Sequence, residues 1–273
     1  MRVLLTNDDG IEAEGLQALR RALLALDDDL ELVVIAPDGN RSAFARMITT
    51  RRPLWVSEVD FGDGTRGYAT DGTPVDCVRL ANLGLIDGFR PDVVVSGINH
   101  GANLGDDISY SGTVAAAIEG VILGVPGIAV SQQSSGREYD HRLGRDFDFT
   151  TAAEFAARVV EELDDVPLPE GTLLNINVPA GEVDGVEVTR LGKRIYRDEL
   201  RLDSEEDGRR RYWIYGDDPD FEREEGTDLA AVADGRIAVT PVHFDLTDVR
   251  GLDALTRYGL ERLVRPAARE LEP

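Results

Sequence analysis

The sequence predicts an α/β fold in which helices cover both faces of a doubly wound, mostly parallel sheet. Two observations carry this prediction. Short apolar runs of strand length alternate with longer segments whose apolar residues recur at helical spacing, and polar turns follow several of the runs. Such alternation is typical of strand–helix–strand units, whose crossovers place helices on both sides of a parallel sheet.

The alternation extends over residues 1–180, which we predict to form one Rossmann-like domain. The predicted strands are residues 3–6, 30–36, 92–96, 127–131 and 172–178. The predicted helices are residues 15–26, 113–123 and 147–163. Residues 47–70 interrupt the alternation and predict a hairpin-type insertion.

The pattern changes after residue 180. Residues 186–189, 211–215 and 237–240 predict antiparallel strands separated by acidic loops, and residues 252–268 predict a closing helix. This part has too little apolar sequence of its own to suggest an independent domain. We therefore predict that residues 181–273 form a β-rich and helical C-terminal extension.

The charge balance limits the classes of partner. Hydrophobic residues make up 42% of the 273 positions, which is enough to bury a core. The 29 Lys and Arg residues face 52 Asp and Glu residues, so the formal net charge is −23. Proteins that bind nucleic acids or anionic membranes need basic contacts to phosphates, and we expect neither partner here. A small anionic substrate held through a metal ion is compatible with this charge.

The basic residues are themselves biased, because Lys193 is the only lysine among them. An acidic, lysine-poor surface resembles proteins of salt-accumulating halophiles, whose self-repulsion is screened within about 3 Å at 1 M salt. We expect a halophilic source, and an ordinary acidic cytosolic protein is the alternative.

The first apolar run is too short for a signal peptide, so we expect a cytoplasmic location. The single cysteine, Cys77, excludes an internal disulfide and a Cys-cluster zinc site.

Three polar clusters follow predicted strands: residues 7–10 (NDDG), 38–42 (DGNRS) and 96–99 (SGIN). In a doubly wound sheet, ligands bind outside the carboxyl ends of the strands, so these clusters mark the expected site. Asp8 and Asp9 would point to opposite faces of a continuing strand, but Gly10 lets the chain turn, so both carboxylates could face one point.

Two adjacent carboxylates repel each other unless a cation lies near them. Together with the serine and asparagine oxygens of the other two clusters, Asp8 and Asp9 provide an all-oxygen set that suits Mg²⁺ or Mn²⁺ rather than zinc. The alternative is that the doublet only caps the following helix. His100, next to the third cluster, is interpreted either as an acid or orienting group or as an incidental loop residue.

A second signal is the segment Ser109-Tyr110-Ser111-Gly112-Thr113, which precedes a predicted helix. Free N–H groups and the positive end of the helix dipole make such a segment an anion-binding site. The alternative is plain N-capping by Ser111 or Thr113. The chain has no G-x-G-x-x-G segment after its first strand and no P-loop lysine motif, so the sequence does not support those nucleotide-binding modes.

Five segments together resemble the SurE family of stationary-phase survival proteins, which act as metal-dependent nucleoside-monophosphate phosphatases. The segments are residues 6–11 (TNDDGI), 36–43 (APDGNRSA), 72–78 (GTPVDCV), 96–120 (SGINHGANLGDDISYSGTVAAAIEG) and 175–179 (NINVP). The resemblance implies a Rossmann-like core, a C-terminal extension exchanged between subunits, and a homodimer or homotetramer. One departure is Ala43, because the family usually has glycine after the serine, and this leaves the fit of the loop around substrate open.

The resemblance also implies the roles of the matching residues. One divalent metal ion per subunit, Mg²⁺ or Mn²⁺, would be held by Asp8, Asp9, Ser42 and Asn99. The residues acting in catalysis would be Asp8, Asp9 and Asn99. The substrate phosphate would be bound by Asn99, Gly101, Ser111, Gly112 and Thr113.

We therefore expect a phosphomonoesterase that hydrolyses nucleoside 5′-monophosphates, with 3′-monophosphates as further candidate substrates. Attack by water on the phosphate is the favoured route, and a phospho-aspartate on Asp8 is the alternative. Two other functions compete with this one: a non-catalytic sensor of a metal–nucleotide complex, and a glycosyl- or phosphotransferase that uses the same site.

Overall fold

The computed structural model of the protein describes residues 1–26, 29–138, 146–214 and 220–264. The strands are β1 (Arg2–Thr6), β2 (Glu31–Pro37), β3 (Val56–Asp60), β4 (Arg66–Thr70), β5 (Val93–His100), β6 (Gly127–Gln132), β7 (Thr172–Val178), β8 (Val186–Val188), β9 (Arg194–Ile195), β10 (Arg201–Glu206), β11 (Arg209–Trp213), β12 (Asp220–Phe221) and β13 (Ile237–His243). The α-helices are α1 (Glu14–Leu24), α2 (Pro74–Asn82), α3 (Gly112–Ile122), α4 (Thr150–Glu161), α5 (Asp228–Ala233) and α6 (Val249–Tyr258).

A nine-stranded sheet organises the fold, with the strand order β3-β4-β2-β1-β5-β6-β7-β13-β8. The six strands from β4 to β7 in this order are parallel, whereas β3 is antiparallel to β4 and β13 is antiparallel to β7. This confirms the predicted α/β class. The chain moves from β1 to β2 on one side and later to β5 on the other, so the winding reverses between β1 and β5. A ligand site is expected at this reversal, outside the carboxyl ends of the strands.

Apolar side chains on both faces of the sheet form the core. Val3 and Leu5 pack in the cluster that contains the apolar faces of α1 and α4, whereas Leu4 packs with Cys77 and Val78 of α2. This alternation follows from the two-residue period of a strand. The described part of the chain contains no helix long and apolar enough to cross a bilayer.

Strand β5 is longer than predicted. Asn99 and His100 pair with Ser131 and Gln132 of β6 after a register shift that follows Ser96. The predicted strand, residues 92–96, therefore ends four residues too early. A glycine indicates a turn in sequence, but here it lies in an irregular part of a buried strand. As a result, a strand carries Asn99.

Residues 56–70 contain an antiparallel hairpin of β3 and β4, and β4 also pairs in parallel with β2. The hairpin thereby extends the central sheet.

Helix α4 begins three residues later than predicted, because Phe147 and Phe149 stack against each other and against His100.

The region after residue 180 is partly different from the prediction. β13 is antiparallel to β7 and β11 is antiparallel to β10, as expected, but β8 runs parallel to β13. The long excursion between β8 and β13 allows this, because parallel neighbours need a long crossover. Helix α6 and a 3₁₀ turn at Leu260–Leu263 cover part of the predicted closing helix, and residues 215 and 265–268 lie outside the described residues. The division into two regions at residue 180 stays a prediction.

Candidate functional site

Two of the three predicted polar clusters, residues 7–10 and 38–42, are in direct contact at the carboxyl end of β1. The loop after β2 approaches the doublet, because the Arg41 N–H donates to the carbonyl oxygen of Asp8 at 2.6 Å. On the other side, the His100 N–H at the end of β5 donates to Asp9 Oδ2 at 3.1 Å. Since β1 lies between β2 and β5, all three clusters flank the point where the winding of the sheet reverses.

The turn after β1 has the conformation that the sequence predicted for it. Gly10 has φ +111°, a value that side chains with a Cβ rarely adopt. The Asn7 side chain closes the turn, because its oxygen accepts from the Gly10 N–H and its amide donates to the Gly10 carbonyl. Asp8 is 3% exposed and the Asp9 side chain is 5% exposed. Both carboxylates are therefore held in a largely dehydrated environment.

Asp8 lies against the N-terminus of α3. The Thr113 hydroxyl donates to Asp8 Oδ1 at 2.5 Å, and a Cβ added to Gly112 would come within 2.8 Å of the Asp8 side chain. Burial, followed by the negative charge of Asp9, raises the pKa of Asp8 to about 6, and hydrogen bonds from Thr113 and the Gly112 backbone oppose the rise. Glycine at position 112 is what allows the helix to approach so closely.

Ser111 acts as the N-cap of α3, since its hydroxyl oxygen accepts from the Val114 N–H at 3.1 Å. The capping alternative considered for this segment therefore describes Ser111, whereas Thr113 points to Asp8. The two interpretations are compatible, because a capped helix still leaves N–H groups at its first turn. Phosphate binding by Ser111, Gly112 and Thr113 stays a prediction.

Asp9 is held by two hydrogen-bond donors. Its Oδ2 accepts from the His100 N–H, and its Oδ1 accepts from the Asn40 side-chain amide at 3.3 Å. Burial raises the pKa of Asp9 to about 6, and the His100 N–H opposes the rise. Asn40 belongs to the second polar cluster but is not among the predicted ligands. Its oxygen also accepts from the Ser42 N–H at 2.9 Å, so Asn40 joins the loop to Asp9.

His100 has an orienting position. Its Nε2 accepts from the Gly15 N–H at 3.4 Å, which assigns the proton of the neutral ring to Nδ1, and Nδ1 lies 3.8 Å from Asp9 Oδ1. Burial lowers the pKa of this histidine. Phe147 and Phe149 stack on the imidazole at centroid distances of 5.2 and 4.9 Å. The ring is fixed by these contacts, so it is not an incidental loop residue.

The orientation of Asn99 follows from its neighbour Gly101. The Asn99 amide nitrogen donates to the Gly101 carbonyl at 2.7 Å, and its oxygen lies 3.3 Å from the Thr113 hydroxyl. The Asn99 oxygen therefore faces the same point as Asp8. Substrate contact by Gly101 itself stays a prediction.

The donor set fits a divalent cation. Asp8 and Asp9 are buried, adjacent and raised in pKa, so two negative charges at this point are unfavourable without a positive partner. Asn99 adds a neutral oxygen, and Ser42 lies in the loop joined to Asp8 and Asp9. Such oxygen ligands suit hard ions such as Mg²⁺ and Mn²⁺. Within the described ranges, no group of three or more His, Cys, Asp or Glu side chains is placed so that it could hold a metal ion.

Comparisons with known proteins agree on one family. The sequence model described as "Survival protein SurE" matches residues 3–198. A 5′-nucleotidase SurE from Rubrobacter xylanophilus is 53% identical over 269 residues, covering 97% of this chain and 99% of the relative. A protein of the same name from Chloroflexus aggregans is 47% identical, covering 96% and 100%. The crystal structure of the SurE protein from Aquifex aeolicus is 38% identical with a TM-score of 0.79, covering 94% of this chain and 99% of that chain.

Proposed function

We propose, since this chain belongs to the SurE family, that it is a divalent-metal-dependent 5′-nucleotidase. It would hydrolyse nucleoside 5′-monophosphates to nucleoside and phosphate, with 3′-monophosphates as further candidate substrates. The observation that carries the proposal is the contact between the buried Asp8–Asp9 pair and the N-terminus of α3. This contact joins a cation-binding group to an anion-binding group, which is what a metal–phosphate complex requires.

The cation would be held by Asp8, Asp9, Ser42 and Asn99. When bound, it would neutralise phosphate charge and lower the pKa of a bound water. The resemblance to the SurE family implies a divalent ion, and the all-oxygen donor set favours Mg²⁺ or Mn²⁺ over zinc. Neutral Asn99 and Ser42 add ligands without adding negative charge.

The first turn of α3 would receive the phosphate oxygens. Ser111, Gly112 and Thr113 form this turn, and the dipole of an 11-residue helix favours negative charge at this end. The Thr113 hydroxyl already donates to Asp8, so the Ser111 hydroxyl is the side-chain donor that would face the phosphate. The capping bond of Ser111 fixes the turn, so it needs little reorganisation as charge develops during the reaction. The Asn99 oxygen lies 3.3 Å from the Thr113 hydroxyl of this turn.

The Asp pair would also handle the proton of the attacking water. Either Asp8 or Asp9 would orient this water or accept its proton, since both carboxylates lie at the proposed cation site. We assign the attack to water because both carboxylates are needed to hold a cation against neutral partners. Phospho-aspartate phosphatases use an Asp-x-Asp arrangement, whereas here Asp8 is followed directly by Asp9 and Gly10.

The cellular location, the assembly and the partners of the enzyme are also part of the proposal. We place it in the cytoplasm, as a homodimer or homotetramer in which residues 181–273 exchange contacts between subunits. Nucleic acids and membranes are not expected partners because of the net charge of −23.

The test is phosphate release from a panel of nucleoside 5′- and 3′-monophosphates at high salt, with and without chelator. We expect release from 5′-monophosphates that chelator abolishes and Mn²⁺ or Mg²⁺ restores. Asp9→Asn should lose this activity, whereas Asp87→Asn, which makes the same charge change at an exposed position, should retain it. Nucleotide binding without phosphate release would support a sensor instead, and transfer of phosphate to an added alcohol would support a transferase.

A further inference from the structure

A carboxylate far from the doublet connects the Ser42 loop to α3. Glu119 lies in the C-terminal half of α3, is 0% exposed, and forms ion pairs with two arginines. Arg46 Nη2 lies 3.0 Å from Glu119 Oε2, and Arg79 Nη2 lies 2.8 Å from Glu119 Oε1. Both guanidinium groups are partly exposed, so only the carboxylate is dehydrated.

The two arginines come from different parts of the fold. Arg79 belongs to α2, which packs beside α3 in any case through apolar contacts. Arg46 belongs to the loop after β2, four residues beyond Ser42, and its guanidinium also stacks on the Phe244 ring at 4.9 Å. Only the Arg46 pair therefore joins the Ser42 loop to the helix whose first turn contacts Asp8.

The Ser42 loop needs such a connection because its backbone is strained. Ala43 has φ +61° and Ala45 has φ +50°, which is the left-handed region that residues with a Cβ adopt at an energetic cost. A conformation of this kind persists only where surrounding contacts hold it. The contacts here include the Arg41 N–H bond to Asp8, the Ala45 N–H bond to the Tyr110 carbonyl at 3.2 Å, and the Arg46–Glu119 pair.

These contacts lie on both sides of Ser42. On one side, Arg41 is joined to Asp8; on the other, Ala45 and Arg46 are joined to Tyr110 and Glu119. Release of the second side would let Ala43 and Ala45 relax, and Ser42 would then be held relative to Asp8 from one side only.

We propose that Arg46, acting through Glu119, is a positioning residue that holds Ser42 in place for the divalent cation. This inference rests on the proposed function, because it assumes that Ser42 is a ligand. Arg46 itself lies outside the ligand set. The Glu119 carboxylate is buried in α3 and therefore has a fixed position. The ion pair with Arg46 holds the Ser42 loop relative to this carboxylate.

The test compares Arg46→Gln with Arg79→Gln, which each remove one guanidinium partner from the same carboxylate. The readout is the dissociation constant of Mn²⁺ for the metal-free protein. We expect Arg46→Gln to raise it by about tenfold or more, as is usual when a group that orients a ligand is lost. Arg79→Gln should stay within about twofold of wild type. Arg46→Lys keeps the charge and should restore part of the affinity.

A second readout does not involve the metal. Hydrogen exchange of the Phe44, Ala45 and Met47 amides should become faster in Arg46→Gln and should stay unchanged in Arg79→Gln, since these amides donate within the loop and to Tyr110. Equal effects of both substitutions on Mn²⁺ affinity, or unchanged exchange in Arg46→Gln, would overturn the inference. If Asp9→Asn did not weaken Mn²⁺ binding, the proposed metal site would fail instead, and the exchange data would still decide whether Arg46 holds the loop.

Discussion

The Thr113 hydroxyl donates a hydrogen bond to Asp8 Oδ1 at 2.5 Å, joining two residues that are 105 positions apart in the chain. The bond connects the end of β1 to the first turn of α3. It supplies part of the stabilisation that lets Asp8 remain ionised although it is buried. The N-terminus of α3 thus serves a carboxylate of the protein as well as the phosphate that we propose it binds.

The role of this hydroxyl can be measured. Thr113→Val should lower kcat/KM for a nucleoside 5′-monophosphate by roughly 10- to 100-fold, since a hydrogen bond to a charged group contributes about 1.5–3 kcal/mol. Thr113→Ser keeps the hydroxyl and should retain most of the activity. Similar losses in both variants would mean that the methyl group, and not the hydrogen bond, is the important feature.

Stability should depend on pH through the Asp pair when metal is absent. Burial raises the pKa of Asp8 and Asp9 to about 6, above the value of an unfolded aspartate. A group of this kind stabilises the folded state at pH values below its unfolded pKa, and this contribution is lost as pH rises through the folded pKa. The metal-free protein should therefore lose stability between about pH 4 and pH 7, on the order of 3 kcal/mol for each carboxyl.

Asp9→Asn isolates this effect from all other titrating groups. In chelator, the variant should unfold at a higher temperature than wild type at pH 8, and the difference should shrink or reverse at pH 4. Adding Mn²⁺ should stabilise wild type more than the variant. A variant that is less stable than wild type in chelator at pH 8 would contradict the burial argument.

Salt should stabilise the protein. Even if each of the 29 basic residues paired with an acid, 52 − 29 = 23 acidic residues would remain unpaired, so repulsion outweighs the ion pairs that salt weakens. Screening is nearly complete at molar salt, where the Debye length is about 3 Å. We expect the melting temperature to rise steeply between low salt and molar KCl. A flat or falling curve would show that the acidic surface is not a halophilic adaptation.

Assembly should depend on α6. None of its residues is buried, and Leu252 and Leu255 are 55% and 54% exposed together with Val249 and Tyr258. A contiguous apolar face of this kind marks an interaction surface, here with a second copy of the chain. Leu252→Asp with Leu255→Asp should shift the mass measured by light scattering in high salt toward a single chain.

Thr256→Asp provides the control for assembly, because it introduces a negative charge at an exposed polar position of the same helix. It should leave the mass unchanged. A wild-type protein that already scatters as a single chain in high salt would rule out the predicted assembly.

The two chemical routes differ in whether the phosphoryl group is transferred to the protein. In a single turnover of ³²P-labelled nucleotide with enzyme in excess, quenched in acid, direct attack by water leaves the protein unlabelled. We expect this result because Asp8 and Asp9 are needed as ligands. Hydroxylamine-sensitive ³²P in the peptide that contains Asp8 and Asp9 would show that an acyl phosphate formed.

Local patterns in the sequence were enough to predict the α/β class and to indicate a candidate site at the ends of the strands. The alternation of apolar runs and helical spacing reflects which residues face the core, and this depends on short-range periodicity. Likewise, the turn after Asp9 was predictable because a glycine follows the doublet directly and adopts φ +111°. The candidate ligands were found because polar residues follow successive strands whose ends must lie at one edge of the sheet.

The tertiary structure alone decided the relations between distant residues. It placed Asn99 in a strand by pairing it with Ser131, ran β8 parallel to β13, and brought His100 to Asp9 and Arg46 to Glu119. It also raised the pKa of Asp8, because burial and the neighbouring charge act through space. A one-dimensional pattern carries short-range preferences, whereas pairing partners, distances and dehydration arise only when the chain has packed.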